Sequence, residues 1–195
     1  VGLLARGALV AFPTDTVYGV GSHAFQKDAV RRIFQVKERP LAMALPLLLP
    51  DPAAIESVCS AIPALAWRLA EAFWPGALSL VLPKSDAVPD FVTGGRPTVA
   101  VRVPGDALSR ELCRRLGAPL AATSANRHGR PAPITAQEVQ IQLGGRISLV
   151  LDGGPCPGGT ASTLLVLTCS PPAIQRPGPI TLQQLEQAGG FQFSG

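Results

Sequence analysis

The chain is poor in several things that would each have announced a function. Phe, Trp and Tyr together make up 5% of it, with a single Tyr and two Trp. That is too few for a platform on which nucleic-acid bases stack between cations. Histidine occurs twice, at His23 and His128. The four cysteines, Cys59, Cys113, Cys156 and Cys169, form no CxxC pair. A structural zinc site therefore has no ligand set, and no resident metal is expected. A chain of 195 residues needs no disulfide staples, so the thiols read as free thiols in a reducing cytoplasm. No apolar run approaches the ~18 residues of a membrane span. The run Leu41 to Pro50 is short and broken by Pro46. No signal peptide is evident, and no membrane partner is expected.

Hydrophobic residues reach 47% and charged residues 15%, enough to bury a sizeable core. Gly and Pro number 20 each without a collagen period, which implies many tight turns. Lys and Arg exceed Asp and Glu by 17 to 13, giving +4. This bias suits an anionic ligand or a nucleic acid and demonstrates neither.

Strand-like and helix-like segments alternate. Strands are expected over Leu9–Thr14, Ala44–Leu49, Leu78–Leu82, Thr98–Val103, Leu120–Thr123, Ile147–Leu151 and Ser162–Leu167. Pro46 should confine the second of these to a sheet edge or a bulge. Helical spacing appears over Asp28–Val36 and Ala64–Phe73. Asp51-Pro52, Asp106, Thr135-Ala-Gln-Glu138 and Thr181-Leu-Gln-Gln184 read as helix starts. The stretch Lys84–Pro97 has no clear period and reads as a mobile loop. The fold class is α/β: one domain over residues 1–195, a twisted mixed sheet flanked by helices, with no additional C-terminal domain.

Two glycine-rich runs imitate nucleotide fingerprints. Gly19-Val-Gly21-Ser-His-Ala24 has GxGxxA form but lacks the tight turn and the acid at a second strand end. Gly153 to Thr160 has P-loop glycine spacing, with Gly159 where lysine belongs and a strand where a helix belongs. No GxSxG elbow or nucleophile–base pattern is present. What remains is a set of hydroxyls and cations at strand ends: Thr14, Thr16 and Tyr18; Lys37 and Arg39; Arg102; Thr123, Ser124 and Asn126; Ser162 and Thr163; and Arg176. Ligands of open α/β sheets gather at strand ends, and guanidinium groups match carboxylates and phosphates.

These residues carry a family resemblance. Phe12-Pro-Thr-Asp-Thr-Val-Tyr-Gly19, Lys37-Glu-Arg-Pro40, Trp74-Pro-Gly76 with Leu78-Ser-Leu80, and Val99-Ala-Val-Arg-Val-Pro104 come first. Thr123-Ser-Ala-Asn126, Asp152-Gly-Gly154, Ser162-Thr163 and Arg176-Pro-Gly178 follow. In order and spacing they resemble the YrdC family of threonylcarbamoyl-AMP synthases, from about Leu3 to Leu185 and in its short, single-domain form. The resemblance implies a twisted α/β domain with an open, positively charged concave cavity. It implies a nucleotidyltransferase that makes threonylcarbamoyl-AMP and pyrophosphate from L-threonine, bicarbonate or CO2, and ATP. The product serves the t6A modification of tRNA through downstream threonylcarbamoyl-transfer proteins. ATP is a substrate, and Mg²⁺ would be carried mainly by its triphosphate.

By the same resemblance, Thr16, Arg102, Ser124 and Ser162 would contact threonine or its carbamoyl product, with Thr14 and Tyr18 shaping that pocket. Lys37, Arg39, Thr98, Asn126 and Arg176 would contact ATP. Lys37 and Arg39 would be the catalytic pair, neutralising charge on the phosphates. The chain departs from the family at Met43, at Leu48, at Ser79 where Thr is usual, and at Arg127-His128-Gly129. Two other readings compete: a non-catalytic module for double-stranded RNA or tRNA, and small-molecule binding or carbamoyl transfer within a larger enzyme. RNA binding alone gives no reason for the hydroxyls beside the cations.

Overall fold

The computed structural model describes residues 1–191. The end of the expected domain, residues 192–195, lies outside the described residues. In chain order, the first half comprises α1 (Gly2–Ala5), β1 (Val10–Phe12), β2 (Gly19–His23), α2 (Lys27–Lys37), β3 (Leu47–Leu48), a 3-10 turn (Pro52–Ser57), α3 (Ala64–Phe73), β4 (Leu78–Pro83), α4 (Asp90–Thr93) and β5 (Thr98–Arg102). Then come α5 (Ala107–Leu116), β6 (Leu120–Ser124), α6 (Ala136–Leu143), β7 (Leu149–Val150), β8 (Thr163–Val166), β9 (Ala173–Arg176) and α7 (Leu182–Gly189). The strands form one mixed sheet of nine in the order β7-β1-β2-β6-β3-β5-β4-β8-β9.

Local chemistry sets the helix limits. Asp106 accepts from Ser109 N at 2.8 Å, and Gly117 at φ 68° closes α5. Thr135–Glu138 and Thr181–Gln184 both make capping boxes. Asp51 caps the 3-10 turn by accepting from Ala54 N. In α2 the buried positions Val30, Ile33, Phe34 and Lys37 fall at helical spacing, so the helix buries a lysine in line with its apolar face.

Alternation along the strands divides the sheet into two faces. One face, carrying Ala11, Leu47, Leu78, Leu80, Leu82, Val99, Val101 and Leu165, packs into the main core with α2, α3, α6 and α7. The other face carries Val10, Phe12, Leu48, Leu120 and Ala122 at one end, under Leu4 of α1 and Leu112 and Cys113 of α5. The register continues this second face across β5, β4 and β8. Leu48 pairs with Arg102, Val81 with Ala100 and Val166, and Ser79 with Leu164. Of those positions only Leu48 belongs to the α1/α5 cluster. Helices cover half of the second face, and the open half is the floor of a cavity.

Three expectations are corrected. β3 lies in the sheet interior, between β5 and β6, rather than at an edge. Pro46 stands just before it, where its missing N–H costs no ladder bond, and its carbonyl accepts from Ala122 N at 3.1 Å. The strand is accordingly only two residues long. The stretch Lys84–Pro97 is packed rather than mobile. It contains α4, buries Val88, Val92 and Thr93, and is braced by Lys84 Nζ to Asp90 at 3.3 Å. Finally, the Gly19–His23 run is itself a strand, unforeseen from sequence, between β1 and β6. A Cβ at Gly21 would lie 3.0 Å from Ala121 O and 3.1 Å from Ala122 Cβ, so this glycine permits close strand approach and has no nucleotide role.

Candidate active site

The cavity has two chambers. The inner one is about 180 Å³ and is lined by Thr14, Thr16, Arg102, Ser124, Ser162 and an apolar wall that includes Val17, Leu48 and Ala122. The outer one is about 500 Å³ and is lined by Met43, Arg96, Thr98, Gln175 and the open-face residues Val81, Ala100, Leu164 and Val166. Arg39, Pro46, Ser79 and Arg176 line both chambers. The two spaces therefore meet at two guanidinium groups and a hydroxyl.

Arg102 ends β5 and is 6% exposed. Its Nε donates to Gly76 O at 2.9 Å, Nη1 to Thr16 Oγ1 at 3.0 Å, and Nη2 to Asp15 Oδ1 at 2.6 Å. Three of its five N–H groups are thus fixed, and two remain for a ligand. Burial lowers its pKa, Asp15 pushes it back up, and Arg176 lowers it again. Asp15 was not among the expected site residues. A buried arginine needs an acid, and the Asp within Pro13–Thr16 was the available signal.

Hydrogen counting sets the polarity of the inner chamber. Thr14 gives its one proton to Val17 O at 2.7 Å. Thr14 Oγ1 also accepts from Thr16 N at 3.1 Å and Val17 N at 3.3 Å, and it has no proton left for Thr16 Oγ1, 2.9 Å away. Thr16 accepts from Arg102, which leaves it one acceptor position. The Ser124 hydroxyl lines the chamber and bonds to no described residue. Behind Thr16, Gly159 N donates to Thr16 O at 2.9 Å, and a Cβ at Gly158 would come within 2.6 Å of Asp15 O. The glycine run 153–159 is therefore a backbone lid on the Asp15–Thr16 turn, packed too closely for a side chain at 158.

Arg39 follows Glu38, whose φ of 55° ends α2 and turns the chain. Its Nη1 donates to Thr123 Oγ1 at 3.1 Å and its Nη2 to Ala44 O at 2.9 Å, while its buried Nε has no partner among the described residues. Arg176 donates from Nε to Ser162 O and from Nη2 to Ser162 Oγ, both at 3.0 Å. Burial holds both groups below the ordinary arginine pKa, and Arg176 lowers Arg39 further. Buried cations gathered in one recess form a site that an anion would stabilise.

The structure brings Thr14, Thr16, Arg39, Arg102, Ser124, Ser162 and Arg176 into the inner chamber and Thr98 into the outer one. Three expected site residues, Lys37, Asn126 and Tyr18, line neither chamber and bond within the protein. Lys37 is 2% exposed, and its Nζ donates to Ser124 O and Asn126 O, both at 2.5 Å, and to Asn126 Oδ1 at 3.3 Å. Burial, then the nearby Arg39, lowers it from 10.5 to about 7. Asn126 Nδ2 is spent on Arg127 O and Arg130 O. Tyr18 is fully buried and donates to Gly154 O at 2.8 Å, tying the glycine run to β2. These three build the wall behind the cavity; none lines either chamber. Among the described residues no three His, Cys, Asp or Glu side chains gather to hold a metal ion. No described helix is long and apolar enough to cross a membrane.

An α/β protein with a two-chambered cationic cavity on the uncovered half of a mixed sheet has the shape and charge to receive a small anionic ligand. Residues 2–178 match the family described as telomere recombination, Sua5/YciO/YrdC. The chain belongs to this family. It is 43% identical to the threonylcarbamoyl-AMP synthase of Pyrococcus abyssi over 97% of its own length and 56% of that protein. To the Bacillus subtilis threonylcarbamoyl-AMP synthase it is also 43% identical, over 96% of its length and 55% of that protein. The structure of P. abyssi Sua5 complexed with L-threonine superposes with a TM-score of 0.94, at 43% identity, covering 96% of this chain and 55% of that one. The chain spans about half the length of these relatives.

Proposed function

We propose that the chain is an L-threonylcarbamoyladenylate synthase. In this reading the threonine amine attacks the carbon of bicarbonate and water leaves, giving a carbamate. Its oxygen attacks the α-phosphorus of ATP, and pyrophosphate leaves. The observation that carries the reading is the junction of a small chamber with a larger one at Arg39, Ser79 and Arg176. A small amino acid fits the inner chamber: carboxylate on the two spare N–H groups of Arg102, N–H toward the acceptor left on Thr16, hydroxyl toward Ser124. The outer chamber has room for a nucleoside beside Thr98, with its phosphates between Arg39 and Arg176. That the P. abyssi relative is complexed with L-threonine supports threonine as the amino acid.

Transfer of this kind needs positioning and charge neutralisation more than a protein nucleophile. The site supplies both: cations set in fixed geometry, and hydroxyls with defined donor and acceptor roles. The carbamate reverts in water, and the small inner chamber, once a nucleotide fills the outer one, would limit its contact with water. Mg²⁺ would enter on the triphosphate, since the one carboxylate bonded to the site's arginines, Asp15, is committed to Arg102 and Gly105 N. Lys37 would act from behind the wall, holding the Ser124–Asn126 turn. The product would pass to a threonylcarbamoyl-transfer step on tRNA in the cytoplasm, a reducing setting with which free Cys59, Cys113 and Cys156 agree. The test is pyrophosphate release from ATP. It should require L-threonine and bicarbonate together; release that ignores threonine contradicts the reading.

A further inference from the structure

Ser79 sits on β4 between the core residues Leu78 and Leu80 and is 2% exposed. It lines both chambers, yet nothing in the reading above gives it work. Its Oγ lies 2.8 Å from Ser162 Oγ, which already accepts from Arg176 Nη2 at 3.0 Å. A serine hydroxyl has one proton and two acceptor positions. If Ser79 donates to Ser162, both acceptor positions of Ser162 are filled and its proton is free for the chamber. If Ser162 donates to Ser79, the free proton is on Ser79. In either arrangement the pair offers one O–H at the junction, next to a fixed guanidinium. Parallel pairing of Ser79 with Leu164, two residues beyond Ser162, keeps the two hydroxyls in register.

We infer that Ser79 is a positioning residue for the transfer step. It holds the Ser162 hydroxyl, beside Arg176, at the place where the amino-acid carbamate meets the nucleotide phosphate. The inference rests on the proposed synthase reading. Without Ser79, Ser162 keeps its bond from Arg176, but its own hydroxyl loses a fixed direction. Ground-state binding of either substrate relies mainly on Arg102, Arg39 and Arg176, so the loss should fall on the chemical step.

The test compares wild type with Ser79→Ala, Ser79→Cys and Ser79→Thr in threonine-dependent pyrophosphate release, with ATP and L-threonine each titrated. Thermal melting of every variant monitors the fold. Ser79→Ala and Ser79→Cys should lower kcat by about 10- to 100-fold, the worth of one buried hydrogen bond to a charged network, with each KM within about threefold. Ser79→Thr keeps the hydroxyl and should recover most of kcat. Should Ser79→Ala fail to fold, the isosteric Ser79→Cys carries the comparison. A kcat within about twofold of wild type in Ser79→Ala or Ser79→Cys overturns the inference, as does a Ser79→Thr variant as slow as the other two. Wild type that releases no pyrophosphate in a threonine-dependent way overturns the synthase reading itself, and this inference with it.

Discussion

Asp15 Oδ1 lies 2.6 Å from Arg102 Nη2 and also accepts from Gly105 N at 2.8 Å. The carboxylate thus joins the turn after β1 to the turn after β5 and fixes the direction of a buried guanidinium. A Cβ at Gly105 would fall 2.9 Å from the Asp15 carboxyl carbon, so the contact also depends on glycine there. The pair is largely shielded from solvent, and removing one partner leaves the other charge uncompensated.

Asp15→Asn should therefore weaken L-threonine more than ATP. The amide keeps an acceptor oxygen but loses the charge that stabilises Arg102. We expect KM for threonine to rise about tenfold or more, with KM for ATP changed little. Steady-state titration of each substrate checks this; equal effects on both would assign Asp15 a general structural role.

Arg102→Lys should fare nearly as badly as Arg102→Ala. A lysine cannot reproduce bonds to Gly76 O, Thr16 and Asp15 while presenting two further parallel donors. Threonine affinity should fall about 100-fold in both. Titration calorimetry with L-threonine measures it, and a lysine variant that binds like wild type contradicts the assignment.

Lys37 gives a pH signature. Its folded pKa is about 7, against 10.5 for an ordinary lysine. Between those values the unfolded chain binds more protons, so stability contributed by this group rises with pH from about 7 to about 10.5 and is lost as pH falls back toward 7. A nearby triphosphate favours the charged ammonium and raises the folded pKa. ATP binding should then take up a proton, and affinity should fall as pH rises above about 7. Calorimetry in two buffers of different protonation enthalpy reads the uptake. Lys37→Met should abolish it, and unchanged uptake in that variant would place the proton elsewhere.

Gly21→Val should destabilise the fold without touching ligand directly. The new side chain meets Ala121 O and Ala122 Cβ across β2–β6. We expect a loss of about 1–3 kcal/mol in urea unfolding. An unchanged midpoint would mean that the strands separate at no cost.

Much of this architecture was legible in the residues. Asp106, Thr135 and Thr181 announce their helices because capping is a local hydrogen-bond contest. Thr98–Val103 and Leu78–Leu82 read as strands because half of each faces the core. β2 was illegible, because Gly21 answers to Ala121 and Ala122, about a hundred residues away in sequence. The interior place of β3 was hidden for a similar reason: Pro46 is excluded only from the ladder, and the ladder begins one residue later. In the site, family motifs located the arginines and hydroxyls. They did not separate cavity-facing Arg39 from Lys37, two residues away, because that distinction is made by the left-handed turn at Glu38. Nor did they reveal Asp15 as the partner of Arg102 or Ser79 as a residue common to both chambers, since those relations exist only across the assembled sheet.

The account turns on one spatial claim, that an amino acid and a nucleotide occupy adjoining chambers on the uncovered half of the sheet. A crystal structure of the chain with L-threonine and a non-hydrolysable ATP analogue tests it directly. The account predicts the threonine carboxylate on Arg102, the phosphates between Arg39 and Arg176, and the nucleoside beside Thr98. A nucleotide bound away from Arg39 and Arg176, or a threonine whose carboxylate points away from Arg102, would contradict it.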